Sequence, residues 1–368
     1  MSDEAAARLA SGETWNEFCD ALRKAGDVLL RPDLAATTFE LAEGHRYLGR
    51  LLRAGLMAFG ERTGARYPLF RAMPDGVKMG LDNPDNYYVS ATVSGRHSYR
   101  ISGRRGTIHY LSFAAQSQNF ASRESIAGGA GHLNDAELAL AADGTFEIVA
   151  SQSEQPGNWL RMTPETSQIL VRQTFLDRRT EQPVDLRIEC LERGGPPPPL
   201  DPAAARGQLL GAAMYAMGCA TWFADWVVDF DKHAPVNSFH LPGEEQHRIV
   251  GGDPNIRIWL GRWQLEEDEA LIVEMTPPRC HYWNFQLGNI WAESLEYRFR
   301  RTHINSGQAV VGADGAVRLV VAAGDDGAAN WIDTAGHSRG TMCVRWVRAD
   351  AHPEPMCRVV KRADIAAM

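Results

Sequence analysis

Hydrophobic and polar positions follow two spacings along this chain, and the two spacings occur twice in the same order. Near the start, apolar residues recur every three or four positions, which predicts helices over about 15–29 and 38–59. Thr14, followed three residues later by Glu17, has the pattern of a capping box and predicts where the first helix begins. From about Asn86 onward, short runs rich in Val, Ile, Tyr and Thr lie between turn residues, which predicts β-strands.

The second half of the chain repeats this order after a break. Four prolines at 196–199 predict a stiff linker that forms neither a helix nor a central strand. Asp201 then predicts the N-cap of a long helix that ends near Phe230 and is apolar on more than one side. The predicted strands are 87–93, 97–101, 107–113, 145–150, 168–175 and 184–191 in the first half and 257–265, 270–275, 281–287, 316–322, 342–348 and 355–361 in the second.

Particular residues repeat together with this pattern, at an offset of 171 to 173 positions. The segment HYLSF at 109–113 returns as HYWNF at 281–285, and NWL at 158–160 returns as NWI at 330–332. The pairs His132 with Asn134 and Asp143 with Gly144, and the dipeptide Val171-Arg172, also return in order. A constant offset of this length indicates a duplicated domain rather than a short solenoid repeat.

We therefore predict a mainly β fold with helical segments, of the α+β class. It contains two tandem, duplicated, antiparallel β-sandwich domains, each preceded by helices. The predicted divisions are an N-terminal helical segment at 1–66, a first sandwich at 67–195, a Pro linker with a long apolar helix at 196–250, and a second sandwich at 251–368.

The second-half motifs resemble the domain-of-unknown-function family 1214. They are YWNF at 282–285, DG at 314–315, NWI at 330–332 and VRW at 344–346, within 281–348. Asp333 stands where the family pattern has a proline after Asn-Trp-Leu. RYL at 46–48 and DNPD at 82–85 are similar to a bacterial subgroup of that family. The resemblance implies a jelly-roll-like β-sandwich and implies no particular reaction.

Composition and charge narrow the class of protein. The chain of 368 residues has 44% hydrophobic and 23% charged residues and a net charge of −8, without a basic run, which argues against nucleic acid or an anionic membrane as the main partner. No signal-peptide pattern and no membrane-spanning run is visible. The six cysteines form no CxxC pair, as expected for a reduced, cytoplasmic protein. Homo-oligomerisation stays open.

We expect no bound metal, nucleotide or flavin. The eleven histidines are dispersed and show no short ligand spacing, and no glycine turn opens a helix after a strand. Convergence of distant His, Asp and Glu residues on a metal stays an alternative.

The repeated strand offers two faces. Tyr282 and Asn284 share a polar and aromatic side that is the candidate pocket face, whereas Trp283 lies on the apolar core side. His109 and His281 fall on the core side by alternation, so we expect hydrogen-bonded core histidines.

His303 and Asn305 lie between predicted strands, where an imidazole and a carboxamide could position a substrate carbonyl or a water. Because His132 and Asn134 repeat them, closure of a loop by hydrogen bonds to the backbone is the favoured interpretation. The same structural interpretation applies to the other repeated residues, Asn158, Asn330, Arg172 and Arg345.

Features found in one half only are the stronger functional candidates. Glu293, beside aromatic residues, is a candidate general acid or base with a raised pKa, although an exposed loop carboxylate is the favoured interpretation. The polar segment DNPDNYY at 82–88 is a second such feature. The candidate catalytic residues are Glu293 and His303, and the candidate substrate-binding residues are Tyr282, Asn284, Asn289, Trp291, Tyr297, Asn305, Asp85 and Tyr87.

Three classes of function remain. The first is an enzyme that acts on a bulky, mostly apolar small molecule, such as an aromatic, terpenoid or steroid-like compound, by cofactor-independent acid-base chemistry as a lyase, hydratase, isomerase or hydrolase. The second is a non-catalytic β-sandwich that binds carbohydrate or lipid, and the third is a structural or assembly subunit. A deep pocket that holds a carboxylate or an imidazole would favour the enzyme.

Overall fold

The structure is a computed structural model and describes residues 2–60, 64–117, 127–192, 194–244 and 252–367. The helices are α1 (Ser2–Ala10), α2 (Glu13–Gly26) and α3 (Thr38–Gly55) in the first half and α4 (Pro202–Phe230) in the second. Short 3-10 turns cover Asp27–Leu30 and Arg362–Ala367, and a π-helical turn covers Leu56–Gly60.

The first half contains strands β1 (Arg71–Ala72), β2 (Asn86–Thr92), β3 (Tyr99–Arg104), β4 (Tyr110–Ser117), β5 (Ala127–Asn134), β6 (Thr145–Ser151), β7 (Trp159–Arg161), β8 (Gln168–Thr174) and β9 (Asp185–Cys190). The second contains β10 (Ser238–His240), β11 (Ile256–Gln264), β12 (Glu269–Met275), β13 (Tyr282–Gly288), β14 (His303–Asn305), β15 (Val317–Ala322), β16 (Trp331–Asp333), β17 (Arg339–Val347) and β18 (Met356–Lys361).

The two halves have the same sheet topology. In the first half, a five-stranded sheet has the order β1-β2-β8-β4-β5 and a four-stranded sheet the order β7-β6-β3-β9. In the second half the orders are β10-β11-β17-β13-β14 and β16-β15-β12-β18, so adding nine to each strand number converts one half into the other. The predicted duplication of a β-sandwich is therefore confirmed. The predicted boundary at 250/251 lies outside the described residues.

The sandwiches are not wholly antiparallel. β6 pairs with β7 in parallel, and β15 pairs with β16 in the same way. The repeated Asn-Trp motif fixes this pairing: Asn158 donates to the carbonyl oxygen of Glu147 at 2.9 Å, and the indole of Trp159 donates to Ser151 O at 3.2 Å. Asn330 and Trp331 make the corresponding bonds to Arg318 O and Ala322 O in the second half. The structural interpretation of this motif is confirmed.

Each core lies between the two sheets of its own half. Alternate residues of the strands point inward, among them Ile101, Phe113 and Val171 in the first half and Val273, Phe285 and Val344 in the second. The repeated strand divides as predicted, because Trp283 and Phe285 belong to this core and Tyr282 does not.

The helices form one layer instead of one segment for each half. α4 packs against α1, α2 and α3, and their buried side chains form a cluster with Leu260 and Cys343 on the outer face of the second five-stranded sheet. α4 needs this wide contact because it is apolar on more than one side, as its sequence predicted. No helix of the described residues has the length and apolar character needed to cross a membrane.

The predicted start of α4 is correct, and the predicted start of α2 is wrong. α4 begins as predicted, with Asp201 as the N-cap that accepts from Ala204 N at 3.1 Å. α2 begins two residues earlier than predicted, because Gly12 occupies the N-cap with a positive φ of 79° and Thr14 lies buried inside the helix. The capping box occurs instead at α3, between Thr37 and Glu40.

Candidate functional site

The outer faces of the two five-stranded sheets meet at the contact between the halves. Tyr110, Tyr282, Ile256 and Val347 are buried there together. The rings of His109 and His281 stack with their centroids 4.3 Å apart, and the Nε2 of each lies 2.8 or 2.9 Å from the backbone carbonyl oxygen of the other. Each histidine immediately precedes the equivalent strand of its half, β4 or β13. Both are hydrogen-bonded, as predicted, but they lie between the two sandwiches and not within a core.

A carboxylate from each half is held by a tyrosine and a histidine of the other half. Asp85 accepts from the hydroxyl of Tyr282 at 2.6 Å and lies 3.1 Å from His303 Nε2. Asp253 accepts from the hydroxyl of Tyr110 at 2.8 Å and lies 3.0 Å from the Nε2 of His132. The two clusters are equivalent, because Tyr110 and His132 are the repeat counterparts of Tyr282 and His303.

The pKa values of Asp85 and Asp253 are both lowered, as expected for carboxylates that serve as hydrogen-bond acceptors in a structural contact. Burial opposes ionisation of Asp85, but the hydrogen bond and charge of His303 outweigh it and lower its pKa. The pKa of Asp253 is lowered against burial in the same way by His132. Burial, together with Asp85, raises the pKa of Tyr282 well above its usual value. Both aspartates are therefore ionised at neutral pH, and the tyrosine hydroxyls donate to them.

Sequence reasoning assigned DNPD at 82–85 to one half only, and this was wrong. The structure pairs Tyr88 with Arg172 in the first half and Ile258 with Arg345 in the second, which makes Asn83-Pro84-Asp85 equivalent to Asp253-Pro254-Asn255. The amide and the carboxylate have exchanged places, so a search for identical residues at a constant offset missed the match.

A cavity of about 650 Å³ lies beside this contact. One wall is the outer face of the first five-stranded sheet, where alternate residues of β2 and β8 point into it: Tyr88, Ser90, Thr92, Gln168, Leu170 and Arg172. The opposite wall belongs to the helical layer and is largely aromatic and apolar, with Met57, Phe59, Tyr215, Trp222, Phe223 and Trp226. The second half closes the cavity with Ile256, Ile258, Leu260, Tyr297 and Arg345.

Asp82 is an acidic residue of the cavity wall with a raised pKa. Its carboxylate accepts from the backbone N–H of Ser294 at 3.0 Å and from the Ser294 hydroxyl at 2.7 Å. Burial raises its pKa, and Lys78, whose own pKa is lowered by burial, offsets this only in part. Burial also raises the pKa of Tyr297, on the same wall, to about 12. A carboxyl group that is held by two donors and biased toward its protonated form is suited to proton transfer.

A smaller cavity of about 200 Å³ lies on the other side of Ser294. Glu293 is 1% exposed there, 2.6 Å from Arg50, and its carboxylate also accepts from Asn289 at 2.9 Å. Burial raises the pKa of Glu293, against the opposing charge of Arg50. Glu43 accepts from Asn289 at 3.4 Å and binds His337 Nε2 at 2.8 Å. Each carboxylate is engaged by a cation or histidine, so this polar cluster ties α3 to the second sandwich.

The family model described as "Protein of unknown function (DUF1214)" matches residues 88–174. A crystal structure of an uncharacterised protein from Burkholderia cenocepacia is 44% identical, covers 97% of this chain and 99% of its own, and has a TM-score of 0.92. The chain belongs to the DUF1214 family. The family model matches the first half, whereas the resemblance in the sequence was drawn on its repeat at 281–348.

A second solved structure has the same fold as this DUF1214 chain but a much lower sequence identity. The VPA0106 protein from Vibrio parahaemolyticus is 12% identical, with a TM-score of 0.50 over 92% of this chain and 100% of its own. A search of the curated proteins found no match.

The site residues predicted from the sequence of this DUF1214 protein do not lie together in one site. Tyr87 and Tyr297 line the large cavity, and Asn289 and Glu293 line the small one. Asp85, Tyr282, Asn284 and His303 form a buried polar cluster at the contact between the halves. Trp291 is buried among the helices and donates to Glu40 O at 2.8 Å, and Asn305 donates to Leu176 O at 3.1 Å.

Four residues that were predicted to lie in loops lie in strands. His303 and Asn305 lie in β14, and His132 and Asn134 lie in β5, because both segments pair with the repeated strand. Asn305 nevertheless accepts from Gly307 N at 3.0 Å, and Asn134 accepts from Ala136 N at 2.9 Å, as expected for a turn that follows.

Sequence reasoning missed most of the large cavity of this DUF1214 chain. Arg172 and Arg345 were set aside as repeated residues, yet both line it. The aromatic side of α4 was read only as a packing surface. Its excess of Trp and Phe over the needs of one buried face was the signal that could have found the cavity.

Proposed function

We propose that this DUF1214 protein is a cytosolic enzyme that acts on a bulky, mostly apolar small molecule by acid-base chemistry without an organic cofactor. The observation that supports this proposal best is the cavity of about 650 Å³ between the first sandwich and the helical layer. Its volume falls within the range of about 300–1,000 Å³ usual for small-molecule sites.

The two walls indicate the character of the ligand. Trp222, Phe223 and Trp226 offer a broad apolar surface for an aromatic, terpenoid or steroid-like body. Across the cavity, Ser90, Thr92 and Gln168 offer hydrogen bonds to a few polar substituents. The ligand is therefore amphipathic, with its apolar side toward α4 and its polar groups toward β2 and β8.

Asp82 carries the proton transfer in this proposal. Its raised pKa places the carboxyl closer to neutrality than an ordinary aspartate, so the same group can give a proton to a substrate oxygen or accept one from a substrate carbon. Ser294 fixes the carboxyl through two hydrogen bonds, which keeps it oriented during the reaction. A lyase, a hydratase, an isomerase and a hydrolase all use such a group.

The test begins with the ligand. Native mass spectrometry of the full chain, purified from its own host, would identify a bound compound. A panel of a steroid, a terpenoid alcohol and a polycyclic aromatic, competing with a fluorescent apolar dye, would define its class. Ser90→Phe fills the cavity and should weaken binding at least about tenfold. Ser102→Phe on β3 is the matched control, because Ser102 lies on a strand that lines neither cavity.

Catalysis is tested separately from binding. Asp82→Asn should leave affinity within a few-fold and lower turnover by about 100-fold or more. Unchanged turnover in Asp82→Asn would contradict its role. Binding without any turnover of the bound compound by the unaltered protein would favour the non-catalytic lipid-binding alternative.

A further inference from the structure

Three metal-binding residue types meet at one edge of the first sandwich. The ligand atoms of His97, Cys190 and Glu192 all lie within 4.8 Å of one another. The Sγ of Cys190 is 3.5 Å from Glu192 Oε2, and the Nδ1 of His97 is 4.0 Å from that same oxygen. None of the three residues lines either cavity, so the cluster is separate from the proposed active site.

The backbone holds the three side chains in place. β3 and β9 pair with Tyr99 opposite Cys190, and beyond this pair Leu191 N donates to Ser98 O at 2.9 Å. Ser98 N in turn donates to both carboxylate oxygens of Glu192, at 3.1 and 2.9 Å. His97 is fixed by a turn in which its own N–H donates to Ser94 O at 3.0 Å. The cluster is thus built on a strand pair and a turn, and not on freely moving side chains.

The distances agree with tetrahedral zinc. With zinc–ligand bonds of usual length, the sulfur and oxygen ligands lie about 3.5 Å apart and the nitrogen and oxygen ligands about 3.3 Å apart. The separation between sulfur and oxygen already has this value. The nitrogen of His97 lies about 0.7 Å farther from that oxygen than zinc requires and within 4.8 Å of the sulfur, so the imidazole must move toward both ligands when zinc binds. Cys190 is buried, whereas Glu192 is exposed, so an ion can enter from solvent and keep a water as its fourth ligand.

Comparison with the other half shows that the fold does not require this trio. In the second sandwich, Leu271 pairs with Val321 and Val359 as Tyr99 pairs with Ala150 and Cys190, so Val359 stands in the place of Cys190. Two residues further along, Glu269 and Lys361 stand in the places of His97 and Glu192 and form an ordinary ion pair at 3.3 Å. The second half has no thiol and no imidazole at these positions, so the trio belongs to the first half alone.

We propose that His97, Cys190 and Glu192 bind a zinc ion that secures the end of β9 immediately before the Pro-rich linker. Sequence analysis expected no metal because the ligands are far apart along the chain, and the pairing of β3 with β9 removes that separation. Binding converts the Cys190 thiol to a thiolate and releases its proton to solvent, since the thiolate is the form that binds metal.

Cobalt(II) is the probe, because a cysteine ligand gives it a thiolate-to-metal charge-transfer absorption that other ligands do not. The full chain, reduced and freed of metal by a chelator, is titrated with Co²⁺ and then with Zn²⁺ in competition. We expect the absorption to saturate near one equivalent and to disappear as Zn²⁺ is added. Zn²⁺ should also raise the Tm of the protein, as binding to the folded state requires.

Variants assign the ligands. Cys190→Ser should abolish the absorption. His97→Ala and Glu192→Gln should each raise the Kd beyond the roughly 10- to 100-fold caused by loss of an outer-shell partner. Cys357→Ser and His233→Ala are matched controls outside the cluster and should behave as the unaltered protein. Because Cys190 is buried and its variant could misfold, His97→Ala and Glu192→Gln, checked by circular dichroism, carry the decision. An absent charge-transfer absorption in the unaltered chain, or unchanged affinity in both of these variants, would overturn the proposal.

Discussion

Asn83 of the first half and Asp253 of the second occupy equivalent positions. The second half therefore has its carboxylate at this position, whereas the first half has its carboxylate two residues later, at Asp85. Asn83 and Asp253 each accept a hydrogen bond from the N–H two positions on, at 3.0 Å from Asp85 N and at 2.9 Å from Asn255 N. Each turn therefore presents one amide and one carboxylate to the opposite half, in reversed order.

This exchange predicts that the carboxylate of the first half can be moved from position 85 to position 83. Asp85→Asn should destabilise the protein by about 1.5–3 kcal/mol, because Tyr282 and His303 lose a charged partner. The double variant Asn83→Asp with Asp85→Asn reproduces the arrangement of the second half and should recover part of this loss. Tm measurements on the two variants check it. A double variant that is less stable than Asp85→Asn would contradict the equivalence.

His109 and His281 should be coupled. Each donates through Nε2 to the backbone of the other, so His109→Phe and His281→Phe should each cost about 1–3 kcal/mol. The two hydrogen bonds accept on backbone oxygens and are lost one at a time, but the imidazole rings also stack at 4.3 Å, and either change alone already removes this pair, so the double variant should cost less than the sum. Urea denaturation of the four proteins measures the coupling. His233→Phe, at an exposed position, is the control, and strict additivity of the two changes would argue against coupling between the two rings.

Much of the sheet structure followed from the sequence, because it depends on local periodicity and on the repeat. All of the predicted strands are present within a few residues of their predicted ends, including 86–92 and 339–347. Strands β1, β5, β7, β10, β14 and β16 were not predicted. Most have only two or three residues, too few to show an alternation, and β5 is rich in glycine.

His337 gives the protein a pH-dependent contact. Burial opposes its protonation, but the hydrogen bond and charge of Glu43 outweigh burial and raise the pKa of His337. A raised pKa means that the folded chain holds this proton more tightly than the unfolded chain. The stabilisation is therefore fully present below about pH 6.5 and is lost as the pH rises through the folded pKa.

His337→Gln should remove this dependence. It should lower stability on the order of 1–3 kcal/mol at pH of about 6, and the difference from the unaltered protein should shrink toward higher pH. Thermal denaturation at several pH values between about 6 and about 9 measures it. A constant difference over that range would show that His337 contributes by packing alone, for example against Phe39 at 4.9 Å between ring centroids.

Two glycines of α3 should respond in opposite ways to the same substitution. A Cβ at Gly55 would lie 2.5 Å from the carbonyl oxygen of Ala212 in α4, so Gly55→Ala should destabilise the protein by about 1–3 kcal/mol. Gly49 meets nothing within 4 Å, so Gly49→Ala should stabilise the helix by about 0.5–1 kcal/mol. Tm values for the two variants are the measurement. Similar shifts in both would mean that α3 and α4 do not cross this closely.

The candidate site was less accessible from the sequence, because it depends on contacts over long separations. Glu293 was a candidate for a raised pKa, but the favoured interpretation, an exposed loop carboxylate, was wrong, because Glu293 is buried against Arg50, which lies 243 residues earlier. The large cavity arises where α4, β2 and β8 converge, and no local pattern encodes that meeting. The raised pKa of Asp82 comes from burial without a histidine partner of the kind that Asp85 has, and the sequence shows neither feature.

The reciprocal contact at His109 and His281 is the kind that two identical subunits make about a shared axis. In a homodimer, any substitution near such an axis appears on both sides at once. Here a single polypeptide supplies both sides, so each can change alone, as the reversed order of Asn83-Pro84-Asp85 and Asp253-Pro254-Asn255 illustrates. The walls beside the axis are likewise free to differ, and a molecule without internal symmetry can be held there in one orientation.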